Sequence, residues 1–137
     1  MIENLTIVFD VGLLILIWMV QHIVYPSFLY YESKNLITWH HSYTGKITVI
    51  VMPLMFGQLI LSGYQVYENW ETIHFVKMGL ILFVWALTFG YFVPAHGKIS
   101  SGNISKQLLT QLVQRNWWRT LAWTLVTILS LYQLIKK

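Results

Sequence analysis

The chain has 137 residues, of which 56% are hydrophobic and 10% charged, with a formal net charge of +4. Soluble domains carry about 25% charged residues, so an ordinary soluble globular domain is excluded. The absence of cysteine excludes disulfide frameworks, thiolate metal sites and cysteine nucleophiles.

The mean hydropathy of +0.57 points to lipid as the solvent, and the length allows one domain over residues 1–137. A membrane-spanning helix needs about 20 predominantly apolar residues. Four stretches meet that need, at about 5–24, 44–64, 73–93 and 117–135. The first contains Asp10, and the second contains Pro53, which predicts a kink. The first ten residues lack Lys and Arg and no small-residue cleavage site follows, so this span is expected to remain in the mature protein. The joining stretches, YPSFLYYESKNLITWHHS, QVYENWET and PAHGKISSGNISKQLLTQLVQRN, read as loops, the third with an amphipathic lead-in to the last span. The predicted fold class is all-α, a four-helix transmembrane bundle running up-down-up-down.

With four spans, both termini and the second loop share one face, Y, and the other two loops share the opposite face, X. Lys34, Lys46, Lys98, Lys106, Arg115 and Arg119 fall on X, whereas Lys77, Lys136 and Lys137 fall on Y. The positive-inside rule then places X in the cytoplasm and both termini outside, in a bacterial inner membrane. The terminal lysine pair argues the other way. The basic balance therefore reads as topology and attraction to membrane lipid, with no nucleic acid as a partner. Aromatic residues at both boundaries, Tyr25, Tyr31 and Trp39 on X and Tyr64 and Trp70 on Y, form the expected interfacial belts.

The same topology gathers WMVQHIVYP, WHHSYTGK, FVPAHGK and QRNWWRT at face X. Four of the five histidines, His22, His40, His41 and His96, converge there with Gln21, Tyr43, Arg115, Asn116 and Arg119. Trp18 stands one turn from His22, and Asn116, Arg119 and Trp123 follow the stripe of a buried helix face. Adjacent His40 and His41 must point apart. His41 is favoured for the interior because Gly45 and Thr48 continue its face with small residues. Two readings stay open: an interfacial layer touching headgroups, or a pocket built from His22, His41, His96, Asn116 and Arg119. Near face Y, Asp10 and Lys77 are expected to form an ion pair, with His74, Gln58 and Gln65 close by.

A pocket of this composition supports two chemistries. His22, His41 and His96 could ligate a metal ion or haem, with arginines on haem propionates, although Glu32 is the one carboxylate on that face. Without a cofactor, a histidine could remove a proton from a phenol or an activated carbon acid, while Arg119 and Asn116 stabilise the oxyanion. Trp18, Trp39 and Trp118 would wall a flat apolar ligand such as a quinone or polyketide. Alternatively, Arg115 and Arg119 hold a lipid phosphate.

The segments WMVQHIVYPSF and FVPAHGKISSGN…LTQLVQRNWWRTLAW resemble the small four-span bacterial membrane proteins of the anthrone-oxygenase-like group. The shared pattern is Trp-x-x-x-His-x-x-Tyr-Pro in the first helix, Val-Pro at the end of the third, and Asn-Trp-x-Arg-Thr opening the last. The matching positions are His22, Tyr25, Pro26, His41, Pro94, His96, Asn116, Arg119 and Thr120. The resemblance implies an oxygenase-like activity on an aromatic substrate. Together these readings lead to an expected membrane oxidoreductase for a hydrophobic aromatic or quinone-like small molecule. His22, His41, His96, Asn116 and Arg119 would be catalytic, and Trp18, Gln21, Tyr43, Arg115 and Trp118 would bind substrate. The rival is a non-enzymatic membrane protein that binds haem, lipid or a partner helix. Four helices enclose little volume, which leaves room for a homo-oligomer.

Overall fold

The computed structural model describes residues 1–136. It is an all-α, up-down-up-down bundle of four helices: α1 (Ile2–Tyr30), α2 (Ser33–Glu68), α3 (Thr72–Ser100) and α4 (Lys106–Lys136). The first three are long and apolar enough to cross a membrane, so the protein is membrane-associated. In α4 the polar share is higher, because Asn116, Arg119, Thr120, Thr127 and Ser130 all lie on its buried face. The outward surface is apolar, with Ile15, Val49, Ile60, Leu82, Leu125 and Ile128 exposed. Such a distribution suits lipid outside and a polar interior.

Each helix outruns the apolar stretch that announced it. The 36 residues of α2 extend roughly 54 Å at a rise of about 1.5 Å each, against a hydrocarbon thickness of about 30 Å. The stretches expected as loops are therefore largely helical. Only Tyr31 and Glu32, both with extended backbone, separate α1 from α2. Between α3 and α4 the turn is closed by Gly102 at φ +85°, with Gly102 N–H donating to Ile99 O and Asn103 N–H to Lys98 O. This left-handed residue ends the helix at little cost because glycine has no Cβ. Ser105 Oγ then accepts from Leu108 N–H at 3.0 Å and caps α4.

Prolines act differently in different helices. Pro53 sits within an unbroken α2. Pro26 and Pro94 instead follow wide π turns at Val20–Val24 and Thr88–Phe92. Proline lacks the N–H and crowds the carbonyl four residues back. Loosening the turn before it relieves that crowding, and it inserts one residue into the helical register.

The Asp10–Lys77 expectation needs correction. Both are buried, but each is satisfied by neutral side chains. Asp10 accepts from Gln58 Nε2 at 2.6 Å and Ser130 Oγ at 2.5 Å. Lys77 Nζ donates to Gln65 Oε1 at 3.2 Å and Gln133 Oε1 at 3.4 Å. Amides on α2 and α4 reach these groups because they share the inward stripe, so the charges interact through space while their hydrogen bonds go elsewhere.

Candidate functional site

At the X end of the bundle, side chains from all four helices form one hydrogen-bonded chain. Ser100 Oγ lies 2.9 Å from His40 Nδ1, His40 Nε2 lies 2.7 Å from His96 Nδ1, and His96 Nε2 lies 2.9 Å from Tyr25 Oη. Arg119 Nη2 donates to Tyr25 Oη at 3.0 Å. The remaining guanidinium donors go to Asn116 Oδ1, from Nε at 3.0 Å and Nη2 at 2.7 Å, and to Thr88 Oγ1, from Nη1 at 3.3 Å. Asn116 Nδ2 donates to Gln21 Oε1 at 2.9 Å, Thr120 Oγ1 donates to the same oxygen at 3.2 Å, and Gln21 Nε2 donates to Val113 O at 3.1 Å.

Local sequence explains why these groups meet. Gln21 lies in the π turn and Tyr25 follows it, and both point inward. Thr88 lies in the second π turn, and His96 is on the helical turn beyond Pro94. On α4, Asn116, Arg119, Thr120 and Trp123 share the buried stripe.

The charge at the centre is unusual. Arg119 is 7% exposed, and all three of its nitrogens are held by neutral acceptors. Its Cζ lies 3.6 Å from the Phe92 ring centroid, a cation–π contact. A cation buried this way costs several kcal/mol of desolvation, and it projects positive potential into whatever space adjoins it.

That space is a cavity of about 390 Å³. Tyr25, Tyr43, His96 and Arg119 form its polar end, and Leu16, Ile17, Val20, Ile47, Val51, Met52 and Phe92 supply apolar walls. Trp123 lines it too and donates from Nε1 to Gln58 Oε1 at 3.0 Å. Gln58 in turn holds Asp10. Thr48, Phe89 and Val93 line the cavity and are exposed on the outer surface of α2 and α3, so it communicates with the lipid side of the bundle.

The structure brings His96, Asn116, Arg119, Gln21 and Tyr43 together as expected. It does not bring in the others. His22 is exposed and stacks on Trp18 at 5.3 Å between centroids, with Trp117 edge-on at 5.6 Å. His41 is exposed, and His40 takes the inward position. Arg115 is exposed and lies 4.4 Å over the Tyr91 ring. Trp18 is half-exposed and donates to Thr124 Oγ1, while Trp118 faces outward. The neighbouring Tyr25, His40, Thr88, Ser100 and Thr120 complete the network.

The metal set His22, His41 and His96 is not assembled, because two of the three lie on the outer surface. Among the described residues no three His, Asp or Glu side chains stand close enough to share an ion. Both ring nitrogens of His40 and of His96 are hydrogen-bonded. Neither therefore offers the free imidazole nitrogen that haem or a metal requires, and the inward histidines do not fit those groups.

Comparisons of the chain with protein-family models, with curated proteins and with solved structures give no match.

Proposed function

We propose that this protein is an integral membrane oxidoreductase, of the kind its anthrone-oxygenase-like motifs suggest, acting on a hydrophobic aromatic molecule with a phenolic or quinoid oxygen. The observation that carries this reading is a buried guanidinium with no carboxylate among its hydrogen-bond partners, beside a cavity of about 390 Å³ with apolar walls. Ligand sites commonly measure about 300–1,000 Å³ and combine such walls with a few convergent polar groups.

The ligand enters from the bilayer between α2 and α3 and lays its ring against Phe92 and Trp123. Its oxygen meets Tyr25 Oη. Arg119 stabilises negative charge developing on that oxygen, since a fixed cation in a water-poor site needs no reorganisation when charge appears. Tyr25 donates or accepts the hydrogen bond, and Asn116 and Gln21 hold the guanidinium in place. Face X, with most Lys and Arg, lies in the cytoplasm of a bacterial inner membrane, and both termini lie outside. A reporter at the C-terminus that is active in the cytoplasm contradicts this orientation.

The test uses purified protein in lipid nanodiscs with duroquinone and durohydroquinone as probes, bound amounts being read by calorimetry. Arg119→Gln is expected to weaken binding roughly 10- to 100-fold, because hydrogen bonds involving a charged group are worth about 1.5–3 kcal/mol. Equal binding by wild type and Arg119→Gln, or no binding of either probe, refutes the proposal. Recovery of a tightly held phospholipid that excludes both probes does the same.

A further inference from the structure

The chain Ser100–His40–His96–Tyr25 has two self-consistent proton arrangements. Arg119 can only donate, so Tyr25 Oη always accepts from Nη2. In the first arrangement Tyr25 O–H donates to His96 Nε2. His96 then carries its proton on Nδ1 and donates to His40 Nε2, and His40 donates from Nδ1 to Ser100 Oγ. In the second arrangement every bond reverses. Ser100 O–H donates to His40 Nδ1, His40 Nε2–H donates to His96 Nδ1, and His96 Nε2–H donates to Tyr25 Oη.

The difference reaches the cavity through one atom. In the first arrangement the Tyr25 hydrogen is spent on His96, so its oxygen offers the cavity an acceptor. In the second, Oη already accepts from Arg119 and His96, so its hydrogen is free to point into the cavity. A ligand hydroxyl fits the first arrangement, and a ligand carbonyl or phenolate fits the second.

We propose that Ser100, His40 and His96 form a reversible proton relay, set by the ligand oxygen at Tyr25, that exchanges one proton between the cavity and face X. The relay rests on the phenolic or quinoid reading of the cavity. A bound phenol gives its proton to Tyr25 Oη, and Tyr25 passes its own to His96 Nε2. The Nδ1 proton of His96 moves to His40 Nε2, that of His40 Nδ1 moves to Ser100 Oγ, and the Ser100 proton leaves at face X. Each relay group ends with the number of protons it began with, and the ligand is left as a phenolate beside Arg119. No electron moves. His40 is fully buried and Ser100 only partly so, as a path from interior to surface requires.

The experiment is 15N NMR of ring-labelled histidine in nanodiscs, in a chain carrying His22→Ala and His41→Ala. His40, His74 and His96 then remain of the five histidines. With durohydroquinone bound, His40 and His96 are expected to carry their protons on Nδ1, and with duroquinone both are expected on Nε2. In Tyr25→Phe the two rings should no longer respond to the probe. Ser100→Ala, which lies beyond both histidines, removes the acceptor for His40 Nδ1–H. It should disfavour durohydroquinone relative to duroquinone by roughly tenfold, since a buried N–H without an acceptor is costly. If both probes bind and the rings keep one tautomer, or only one ring changes, the relay is overturned while the binding site stands. Equal loss of both probes in Ser100→Ala, or switching that persists in Tyr25→Phe, also overturns it. Failure of both probes to bind overturns the binding reading and the relay with it.

Discussion

Arg119→Met separates the two consequences of burying a charge. The substitution keeps an unbranched side chain of similar reach against Phe92 and removes the charge. Two cross-helix hydrogen bonds are lost, to Tyr25 on α1 and Thr88 on α3. At about 1.5–3 kcal/mol for each charged bond, that is roughly 3–6 kcal/mol. Against this, the variant no longer carries a desolvation penalty of several kcal/mol for a buried ion. The two contributions nearly cancel, so Arg119→Met should fall within about 2 kcal/mol of wild type. Arg119→Ala forfeits the same bonds, leaves a void and loses the ring contact, and should be about 2–5 kcal/mol less stable than the Met variant. Thermal unfolding in one detergent, followed by circular dichroism, gives the order directly. The expected midpoints place Met close to wild type and Ala at least roughly 4 °C below Met, at about 2–8 °C per kcal/mol. Both variants should lose the quinoid probes. If Met is more than about 2 kcal/mol less stable than wild type, relief of desolvation does not offset the lost bonds, and the guanidinium is held there for stability rather than for ligand chemistry.

Three further outcomes follow from other contacts. A Cβ at Gly57 would overlap the Phe9 ring, whereas one at Gly45 meets nothing. Gly57→Ala should therefore lower the unfolding midpoint, and Gly45→Ala should raise it through a helix propensity gain of about 1 kcal/mol; midpoints that move together would contradict the packing. Asp10→Leu and Lys77→Met should each destabilise, and their double variant should be more stable than the sum predicts by at least about 1 kcal/mol, because each charge lowers the cost of the other. Additivity within about 0.5 kcal/mol would show that the two charges are uncoupled. His22→Ala should leave probe affinity unchanged, since the ring stacks outside the bundle, and a tenfold loss measured by calorimetry would return His22 to the site.

Most of the bundle was legible because apolar stretches of membrane length have few alternatives. The inward faces were legible as well, through a signal that composition arguments overlook. Asp10 must avoid lipid, and eleven residues, about three helical turns, bring its face to Gln21 rather than His22. Gln58 likewise marks the inside of α2, and eighteen residues back, about five turns, stands His40 rather than His41. Small neighbours such as Gly45 are a weaker guide, since glycine also occurs on lipid-facing surfaces. Arg119 and Asn116 were found because a stripe ending in Trp123 fixes their direction. Two things were hidden. The π turns leave no periodic trace beyond a proline a few residues on, and the Ser100–His40–His96–Tyr25 chain depends on side-chain reach across three helices. The bonding of Asp10 and Lys77 to amides was hidden for the same reason.

The π turns before Pro26 and Pro94 have a consequence for how this chain tolerates insertion and deletion. Each acts as a rotational shim of one residue, about 100° of helix phase, between the apolar half of its helix and the half that carries Tyr25 or His96. Removing one residue from Val20–Val24 would restore ordinary helix and leave the lower half of α1 packed as before. Straightening the turn while keeping its extra residue would instead swing Tyr25 and Phe28 about 100° away from the axis together, so the chain would lose its reactive end while the lower half of α1 stayed packed. In each helix the wide turn and its extra residue thus belong together, and losing one without the other turns Tyr25 or His96 away from the site.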